Sequence, residues 1–182
     1  MSDDPLAWET IDSEIDYSCP GFDVRRDDVR LPDGTETDFH SVEEPPAVVV
    51  LPLTPDGDVV VIDEWRQAVG RVNRSLPAGS LEDHDDDLET AARRELTEET
   101  GYAAGEIERL VSVEPLNGVA NSVHHHVVAF DCEPAGEQSL DFNESIEPTT
   151  VPYGDLLAAV EDGDVRDGKA VTGVLYYERT RE

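Results

Sequence analysis

Lysine is nearly absent from this sequence: Lys169 is the only lysine among 13 basic residues in a chain of 182. Acidic residues number 43, so the formal net charge is −30 at pH 7. Nucleic-acid backbones are bound by basic patches, so this composition argues against nucleic-acid binding. A folded chain this acidic repels itself in dilute buffer, and salt at 1 M shortens the screening length to about 3 Å. The composition therefore predicts a halophilic protein that works in a salt-rich cytoplasm.

Long apolar runs and a targeting signal are missing as well. No stretch approaches the roughly 18 apolar residues that span a bilayer, which predicts that no segment crosses a membrane. The start of the chain, MSDDPLAWE, has neither the basic region nor the apolar core of a signal peptide. Cys19 and Cys132 fit no spacing motif, which favours two free thiols in a reducing compartment. The hydrophobic content of 38% nevertheless indicates a folded domain rather than a disordered acidic tail.

Apolar patterns and turn residues predict an α/β protein in which strands and helices are interspersed. Residues 1–43 are predicted to form a small N-terminal antiparallel β region, and residues 44–182 a larger domain. The predicted strands are 22–31, 35–44, 47–54, 58–65, 106–115 and 123–132, the helices are 87–100, 153–161 and 169–179, and the loops are 67–80 and 133–147. Strands mixed with helices around a hairpin are typical of an α/β/α sandwich with a mixed sheet.

The segment from Asp87 to Thr100 carries the strongest helical pattern in the chain. It contains neither Gly nor Pro, and Gly101 follows where a left-handed helix cap belongs. Asp86 is the predicted N-cap, with Glu89 three residues later in a variant of the capping box. The apolar positions recur at helical spacing and predict a buried face made of Leu88, Ala91, Ala92 and Leu96.

Three carboxylates continue this buried face. Glu95 lies seven residues after Leu88 and therefore on nearly the same side of the helix, with Glu98 and Glu99 beside it. Like charges at these spacings repel each other, and partial burial raises the cost unless a cation neutralises them. Clustered carboxylate oxygens are the ligands that Mg²⁺ and Mn²⁺ prefer. The pattern predicts a divalent metal site, and the alternative is a solvated acidic face.

The segment around this helix, GSLEDHDDDLETAARRELTEETGY (residues 79–102), resembles the box of the Nudix hydrolases. That box has the pattern G-x5-E-x7-R-E-U-x-E-E-x-G-U, where U is a bulky apolar residue. The second half fits at every defined position from Arg94 to Tyr102. In the first half, six residues rather than five separate Gly79 from the matching acid, which is Asp86 in place of Glu. The resemblance implies the Nudix α/β/α sandwich and metal-assisted cleavage of a pyrophosphate.

Further segments resemble the ADP-ribose pyrophosphatase branch of this family. Leu76-Pro77-Ala78-Gly79 matches the entry to the box, and Glu64-Trp65-Arg66 resembles a Gln-aromatic-Arg signature on the second strand. Asn117 and Gly118 stand where those enzymes have a Pro-Gly substrate loop, so both are expected to contact the substrate. Ser75 departs from the Glu that is usual at its position, which bears on substrate choice more than on reaction type.

The resemblance also implies roles for the box residues. Glu95 and Glu99 would be primary ligands of Mg²⁺, with the Ala78 carbonyl as another ligand and Glu98 as a ligand or as the holder of a metal-bound water. Arg94 would orient Glu95 through a charge-assisted bond. Mn²⁺ is the expected substitute for Mg²⁺.

Acid-free stretches point to the substrate site independently. No acid occurs in residues 65–81 or 115–130, although acids make up nearly a quarter of the chain. A site that binds an anionic substrate is expected to lack carboxylates other than those that hold the metal. The alternative is that both acid-free stretches are simply buried strands and their turns. Arg66 is expected to contact a phosphate or to form a strand-end salt bridge. Trp65 is expected to stack on adenine or to pack in the core.

The general base is expected on the acidic loop beyond the box, where this branch of the family often has a Glu. Glu144 is the first choice, with Glu137 and Glu147 behind it, and a solvated glutamate is the alternative for each. His124 and His126 share one face of a strand, as residues two apart do. They are expected to form a base, an adenine contact or a second metal site, or to be partly buried strand histidines.

The leading hypothesis is metal-dependent hydrolysis of ADP-ribose or a related ADP-sugar to AMP and a sugar phosphate. The alternatives are another nucleoside diphosphate derivative, such as GDP-mannose, NADH or a dinucleotide, and a Nudix-fold ligand sensor without turnover. The resemblance also implies that the strands of residues 1–43 pair with a second subunit, which gives a homodimer. Neither a nucleic acid nor a membrane is an expected partner.

Overall fold

The computed structural model describes residues 4–181 of the chain. These residues contain twelve strands and three helices. Contacts divide these residues into an N-terminal unit, residues 4–45 and 114–123, and a larger unit, residues 46–113 and 124–181. The expected domain boundary between residues 43 and 44 remains a prediction. The elements are β1 (Glu9–Cys19), β2 (Phe22–Arg30), β3 (Glu36–Glu43), β4 (Ala47–Pro52), β5 (Asp58–Arg66), β6 (Arg71–Ser75), β7 (Ala78–Ser80), α1 (Leu88–Thr100), β8 (Tyr102–Ala103), β9 (Glu106–Val113), β10 (His124–Phe130), β11 (Glu133–Pro134), β12 (Ile146–Pro152), α2 (Tyr153–Glu161) and α3 (Gly168–Thr180).

Strands β1, β2 and β3 form an antiparallel meander in the N-terminal unit, which confirms the predicted N-terminal β region. Arg30 on β2 lies directly opposite Glu9 of β1 and Glu36 of β3, and its guanidinium pairs with both carboxylates. Cross-strand pairs of opposite charge stabilise a sheet. Ion pairs of this kind join all three strands of the meander.

Large apolar side chains on this meander are exposed. Trp8 packs edge-on against Phe39 with ring centroids 5.8 Å apart, yet both side chains remain more than a third exposed. An exposed apolar patch of this kind is typical of an interaction surface. Other exposed large apolar side chains on β1 and β2 are Ile11, Ile15, Tyr17 and Phe22.

The central sheet of the larger unit has the strand order β7-β4-β10-β9. Strand β10 runs parallel to β4 and antiparallel to β9, so the sheet is mixed. Strand β4 is apolar on both faces, as expected of a strand that is covered on both sides. Val48 and Val50 pack with α1, whereas Val49 and Leu51 pack with α2 and α3. The predicted α/β/α sandwich is confirmed.

Two segments predicted to be loops contain strands. Strands β6 and β7 lie within the predicted loop 67–80, and β12 begins within the predicted loop 133–147. Strands β12, β5 and β6 form a separate antiparallel sheet in which β6 and β12 are the edges. Edge strands tolerate polar residues and proline, such as Pro148 in β12, and therefore lack a clear apolar alternation. The predicted helices, in contrast, differ from α1, α2 and α3 by at most one residue at each end.

No helix among residues 4–181 combines the length and the apolarity needed to cross a bilayer. Cys19 and Cys132 are both free thiols, as predicted. Cys132 lies among the apolar residues beneath α1, and burial raises the pKa of its thiol to about 11.

Gly101 ends α1 in the left-handed region with a φ of 73°, and a Cβ there would lie 2.5 Å from the Gly136 carbonyl oxygen. We expect Gly101→Ala to lower the free energy of unfolding by at least about 1 kcal/mol, because both the backbone and the contact become strained. Gly154→Ala in α2 is the matched control, since a Cβ there meets nothing within 4 Å. The control should be neutral or stabilising by up to about 1 kcal/mol. Urea unfolding compares the two, and equal effects would contradict the prediction.

Candidate active site

The N-cap of α1 is one residue later than predicted. The Asp87 carboxylate accepts hydrogen bonds from the Thr90 backbone N–H at 2.8 Å and from the Thr90 hydroxyl at 3.0 Å. Asp87 also has the extended backbone that an N-cap requires, so the predicted cap, Asp86, is wrong. Glu89, which was expected to complete a capping box, pairs instead with Arg93 one turn later.

The buried face of α1 contains two carboxylates beside its apolar side chains. Glu95 is 8% exposed and Glu99 is 4% exposed, although both are acids. They continue the face formed by Leu88 and Leu96, as the helical spacing predicts. Glu98 differs from them, because its side chain is 43% exposed.

Strand β7 lies directly over the two buried carboxylates. The Ala78 N–H donates to Glu99 Oε2 at 2.9 Å. Gly79 approaches Glu95 so closely that a Cβ on residue 79 would lie 2.2 Å from the carboxylate carbon, and only glycine fits there. The structure therefore brings Glu95, Glu99 and the Ala78 backbone together.

Burial raises the pKa values of both carboxylates. Desolvation raises the pKa of Glu99 to about 8, although the Ala78 N–H and Lys169 act in the opposite direction. Desolvation also raises the pKa of Glu95, and Arg94 opposes this shift. Glu144 adds negative charge near both groups. A divalent cation would neutralise this excess of buried negative charge.

The donor set fits a hard divalent ion. Within the described part of the chain, no three His, Cys, Asp or Glu side chains converge into a metal-binding group of their own. Glu95 and Glu99 supply two carboxylates, and the backbone of Ala78 lies against the second. Mg²⁺ commonly uses one or two carboxylates together with waters and substrate phosphates rather than an all-protein cage. A site with two carboxylates therefore suits an ion that binds together with a diphosphate.

Arg94 joins the loop before α1 to the carboxylates of the helix. Its guanidinium donates to both oxygens of Asp85, at 3.2 and 2.9 Å, and to Glu95 at 2.7 Å. It also donates to Glu98 at 3.1 Å and to the Ser80 carbonyl at 3.0 Å. The bond to Asp85 raises the pKa of Arg94 further above its usual range and lowers the pKa of Asp85. All of this bonding fixes the orientation of Glu95.

Asp85 therefore pairs with the box arginine, and the sequence match to Asp86 was wrong in this respect. The Asp85 side chain is 2% exposed, whereas Asp86 is an exposed residue. Counting back from Arg94 selects Asp86, but counting forward from Gly79 leaves five residues before Asp85, which is the family spacing. The extra residue of the box thus lies between Asp85 and α1.

The β5–β6 hairpin carries two of the residues expected to meet the substrate. Arg66 Nη2 lies 2.7 Å from Glu64 Oε2, so the strand-end salt bridge is present, while the Arg66 side chain is still 39% exposed. Trp65 is 47% exposed and donates to Gln67, so the alternative of core packing is wrong. Val72 lies opposite Trp65 on the hairpin and is also exposed. The first part of this acid-free stretch, residues 65–72, is therefore mostly an open surface, whereas residues 75–77 are buried.

The acidic loop before β12 places Glu144 near the buried carboxylates. Its negative charge contributes to the raised pKa of both Glu95 and Glu99. Glu144 is partly buried, whereas Glu137 and Glu147 are exposed. The position of Glu144 thus favours it over the two other candidates for the general base.

Backbone hydrogen bonds fasten this acidic loop to the end of α1. The Ala135 N–H donates to the Gly101 carbonyl at 2.8 Å, and the Ser139 N–H donates to the Glu98 carbonyl at 2.9 Å. The loop is thus attached to the last turn of the helix that carries the carboxylates.

Asn117 and Gly118 lie in the segment 114–123 of the N-terminal unit and are exposed. The Asn117 side-chain amide donates a long hydrogen bond of 3.4 Å to Glu114. Their contact with the substrate remains a prediction.

The strand histidines differ from one another. His126 is 2% exposed, and neither of its ring nitrogens has a hydrogen-bond partner among residues 4–181. Burial lowers the pKa of His126 to about 4. His125 Nδ1 lies 2.8 Å from the Ser112 hydroxyl at the surface. For His126 these facts favour the buried strand histidine among the predicted alternatives.

Comparison with known families decides what kind of site this is. A family model described as NUDIX domain matches residues 43–172, which is most of the chain. The chain belongs to the Nudix family. The expectation of a Nudix pyrophosphohydrolase that uses a divalent metal is thereby confirmed.

Individual Nudix relatives match almost the whole chain. An ADP-ribose pyrophosphatase of Bacillus subtilis (strain 168) is 32% identical over 174 residues, which is 95% of this chain and 94% of that protein. An ADP-ribose pyrophosphatase of Mycobacterium tuberculosis is 28% identical over 92% of this chain and 82% of that protein. A solved structure, described as that of an ADP compounds hydrolase, has the same fold, with a TM-score of 0.84 and 21% identity over 98% of this chain and 96% of that one.

The contact between Asp85 and Arg94 gives a direct test of the Nudix site. We expect Asp85→Asn to lower the kcat of pyrophosphate hydrolysis about 10- to 100-fold, because Arg94 loses the acceptor that holds it beside Glu95. Asp86→Asn is the matched control, since it removes the same charge from the exposed neighbouring residue, and it should keep nearly full activity. Steady-state kinetics at saturating metal measure both variants. A larger loss in Asp86→Asn would assign the role back to that residue.

Proposed function

We propose that this Nudix protein hydrolyses the pyrophosphate bond of ADP-ribose or a related ADP-sugar to AMP and a sugar phosphate. The observation that carries the proposal is the convergence of the buried Glu95 and Glu99 carboxylates on the backbone of Ala78 and Gly79. The relatives named ADP-ribose pyrophosphatase, which align with more than nine-tenths of this chain, support the choice of substrate.

Mg²⁺ is the proposed metal, and Mn²⁺ is expected to replace it because both prefer oxygen ligands. Glu95, Glu99 and the Ala78 carbonyl would hold the ion, with Glu98 as a ligand or as the acceptor for a metal-bound water. Such an ion neutralises charge on a diphosphate and activates a coordinated water.

Arg94 contributes by position rather than by contact with the substrate. Its guanidinium is occupied by Asp85, Glu95, Glu98 and a backbone carbonyl, so it holds Glu95 towards β7. In this scheme Arg94 and Asp85 together fix the direction of one metal ligand. An orientation fixed before the substrate binds lowers the cost of reaching the reactive geometry.

Glu144 is proposed as the general base that takes a proton from the attacking water. A base must lie close to the reacting centre, and the charge of Glu144 acts on both Glu95 and Glu99. The Glu144 carboxylate accepts a hydrogen bond from the Asp141 N–H at 2.9 Å, which restrains its side chain.

The exposed end of the β5–β6 hairpin is proposed to bind the nucleotide. Trp65 offers an open indole face for adenine, and Arg66 offers a partly exposed guanidinium for a phosphate. Asn117 and Gly118 are proposed as further substrate contacts because of their place in the sequence pattern.

A cytoplasmic homodimer in a salt-rich cell is the proposed setting. The exposed apolar side chains of the N-terminal meander, such as Trp8 and Tyr17, support pairing with a second copy. The formal charge of −30 supports a halophilic source, because high salt screens the repulsion between acids.

A panel of substrates tests the proposed reaction. We expect metal-dependent AMP release with the highest kcat/KM for ADP-ribose, among ADP-sugars, GDP-mannose, NADH and nucleoside triphosphates, in molar KCl with Mg²⁺ or Mn²⁺. Glu99→Gln should lower kcat about 10²- to 10³-fold, the loss typical of an electrostatic contact to the reacting charge. A higher kcat/KM for another diphosphate would change the proposed substrate but not the proposed active site. If the folded protein hydrolyses none of these compounds, the alternative of a Nudix-fold ligand sensor without turnover would be favoured.

Three matched variants test the general base. Glu144→Gln should lower kcat about 10²- to 10⁴-fold, the usual contribution of a positioned base, and should remove the pH dependence that this base gives to kcat. Glu137→Gln and Glu147→Gln remove the same charge from exposed residues of the same region and should keep most of the activity. Loss of activity in either control, with Glu144→Gln active, would move the assignment to that residue.

A further inference from the structure

The loop between β9 and β10 belongs by its contacts to the N-terminal unit. Strands β9 and β10 pair directly, with Val113 opposite His124, so residues 114–123 form the loop of their hairpin. Contacts nevertheless group this loop with the unit that contains the β1–β3 meander. The conformation of the loop therefore depends on its contacts with the meander.

Residues 119–121 extend the meander as a short parallel segment beside β3. Ala120 forms a parallel bridge with Val42. The Val42 N–H donates to the Val119 carbonyl at 2.8 Å, and the Asn121 N–H donates to the Val42 carbonyl at 3.1 Å. Two backbone hydrogen bonds thus attach the loop to β3, which is an edge strand of the three-stranded meander.

The Asn121 side chain supplies the next acceptor of this short ladder. In a parallel ladder with this register, the Glu44 N–H would next bond to the backbone carbonyl of residue 121. The Glu44 N–H donates instead to Asn121 Oδ1, at 3.1 Å. The side-chain amide therefore takes the place of a backbone carbonyl and completes the attachment of the loop. An alanine at residue 121 would leave the Glu44 N–H without this acceptor.

The same attachment holds the turn that carries Asn117 and Gly118. The N–H groups of Val119 and Ala120 both donate to the Leu116 carbonyl at 2.8 Å, which closes the turn. Asn117 and Gly118 lie within this turn and are exposed. Because the two residues that close the turn also lie beside β3, the hydrogen bonds to β3 restrain the turn as well.

The loop enters β10 at the level of the buried carboxylates in the central sheet. Ala47 at the start of β4 lies opposite Ser80 of β7 on one side and opposite His124 of β10 on the other. In the next row of the sheet, Gly79 is the residue that approaches Glu95. Neighbouring strands are about 4.8 Å apart, so His124 lies two strands, or about 10 Å, from β7. The end of the loop is therefore close to the candidate active site.

Acids are missing from this loop after Glu114. No Asp or Glu occurs from Pro115 to Phe130, although the chain is rich in both. Like charges brought together oppose binding, so a turn without carboxylates suits contact with the phosphates of a substrate. The amide group of Asn117 can donate to phosphate or hydroxyl oxygens without adding a charge.

We propose that Asn121 is a positioning residue for substrate binding, whose side-chain amide fixes the turn at Asn117 and Gly118 in the conformation that contacts the diphosphate substrate. This inference rests on the proposed function, in which that turn contacts the substrate. A turn that is ordered before the substrate arrives avoids the entropic cost of ordering it on binding. Asn121 acts through the turn and touches neither the substrate nor the metal, so its loss weakens binding more than chemistry.

Asn121→Ala tests this inference, because it removes the side-chain acceptor of an exposed residue and leaves the backbone hydrogen bonds possible. We expect KM for the best substrate of the panel to rise about 3- to 10-fold, the range expected for the loss of one net hydrogen bond, while kcat stays nearly unchanged. Amide hydrogen exchange, followed by mass spectrometry, should become faster by a similar factor in peptides that contain residues 42–44 and 116–121.

Two further variants serve as controls for Asn121→Ala. Asn121→Asp keeps a side-chain oxygen that accepts from the Glu44 N–H and should stay close to the wild type in both measurements, since molar KCl screens the added charge. Ser122→Ala removes the neighbouring hydroxyl, which is buried and has no hydrogen-bond partner among residues 4–181, and should change neither measurement. If Asn121→Ala does not fold, Asn121→Leu takes its place.

Several outcomes would overturn the proposal. Unchanged hydrogen exchange in Asn121→Ala would show that the amide does not hold the loop. Faster exchange with an unchanged KM would show that the hydrogen bond serves stability alone, and a lowered kcat with an unchanged KM would place the effect in the chemistry. Wild-type protein that hydrolyses no compound of the panel would overturn this inference together with the proposed function, whereas activity on another diphosphate would change only the substrate.

Discussion

The burial of two acids on the apolar face of one helix determines which residues can surround them. Glu95 and Glu99 are buried against β7, where desolvation favours their neutral forms. Their burial requires a glycine at residue 79, a backbone N–H at Ala78 and an arginine whose bonds keep Glu95 in place. The same burial leaves negative charge that a divalent ion would match. The packing of α1 and the chemistry of the site therefore have one physical origin, which is the unfavourable desolvation of carboxylates.

The sequence predicts the parts of this fold that repeat with a regular period. Helix α1 follows from its apolar spacing and the glycine after it, and β4 follows from a run of valines that is buried on both faces. Strands β6 and β12 escape prediction because they are edges, and their polar or proline-containing sequences resemble loops. The pairing of Asp85 with Arg94 was not predicted for another reason. Three consecutive acids precede α1, and only the contact with Arg94 distinguishes Asp85 from the other two.

Charge is used in two different ways in this protein. On the N-terminal meander, arginines such as Arg30 bridge acids of adjacent strands at the surface, where each pair contributes little and is screened by salt. In the larger unit a few charges are buried, and there the guanidinium of Arg94 alone binds three carboxylates, in surroundings where charges interact more strongly than in water. The large excess of acids thus affects the solubility of the protein and its dependence on salt concentration. The site depends instead on a few charged groups that are shielded from solvent. This division explains why net charge alone says little about the chemistry of the site.

The hydrogen bonds between the acidic loop and the last turn of α1 have a consequence for motion. Residues 135 and 139 are anchored to the backbone of residues 101 and 98, so this stretch of the loop is tethered to the helix that carries the carboxylates. Glu144, the proposed general base, follows only a few residues later in the same loop, and we expect its motions to follow those of the helix that carries the two buried carboxylates. If Glu144 is the proton acceptor, as proposed, this tether is expected to keep its distance to the reacting centre constant when the salt content of the solvent changes.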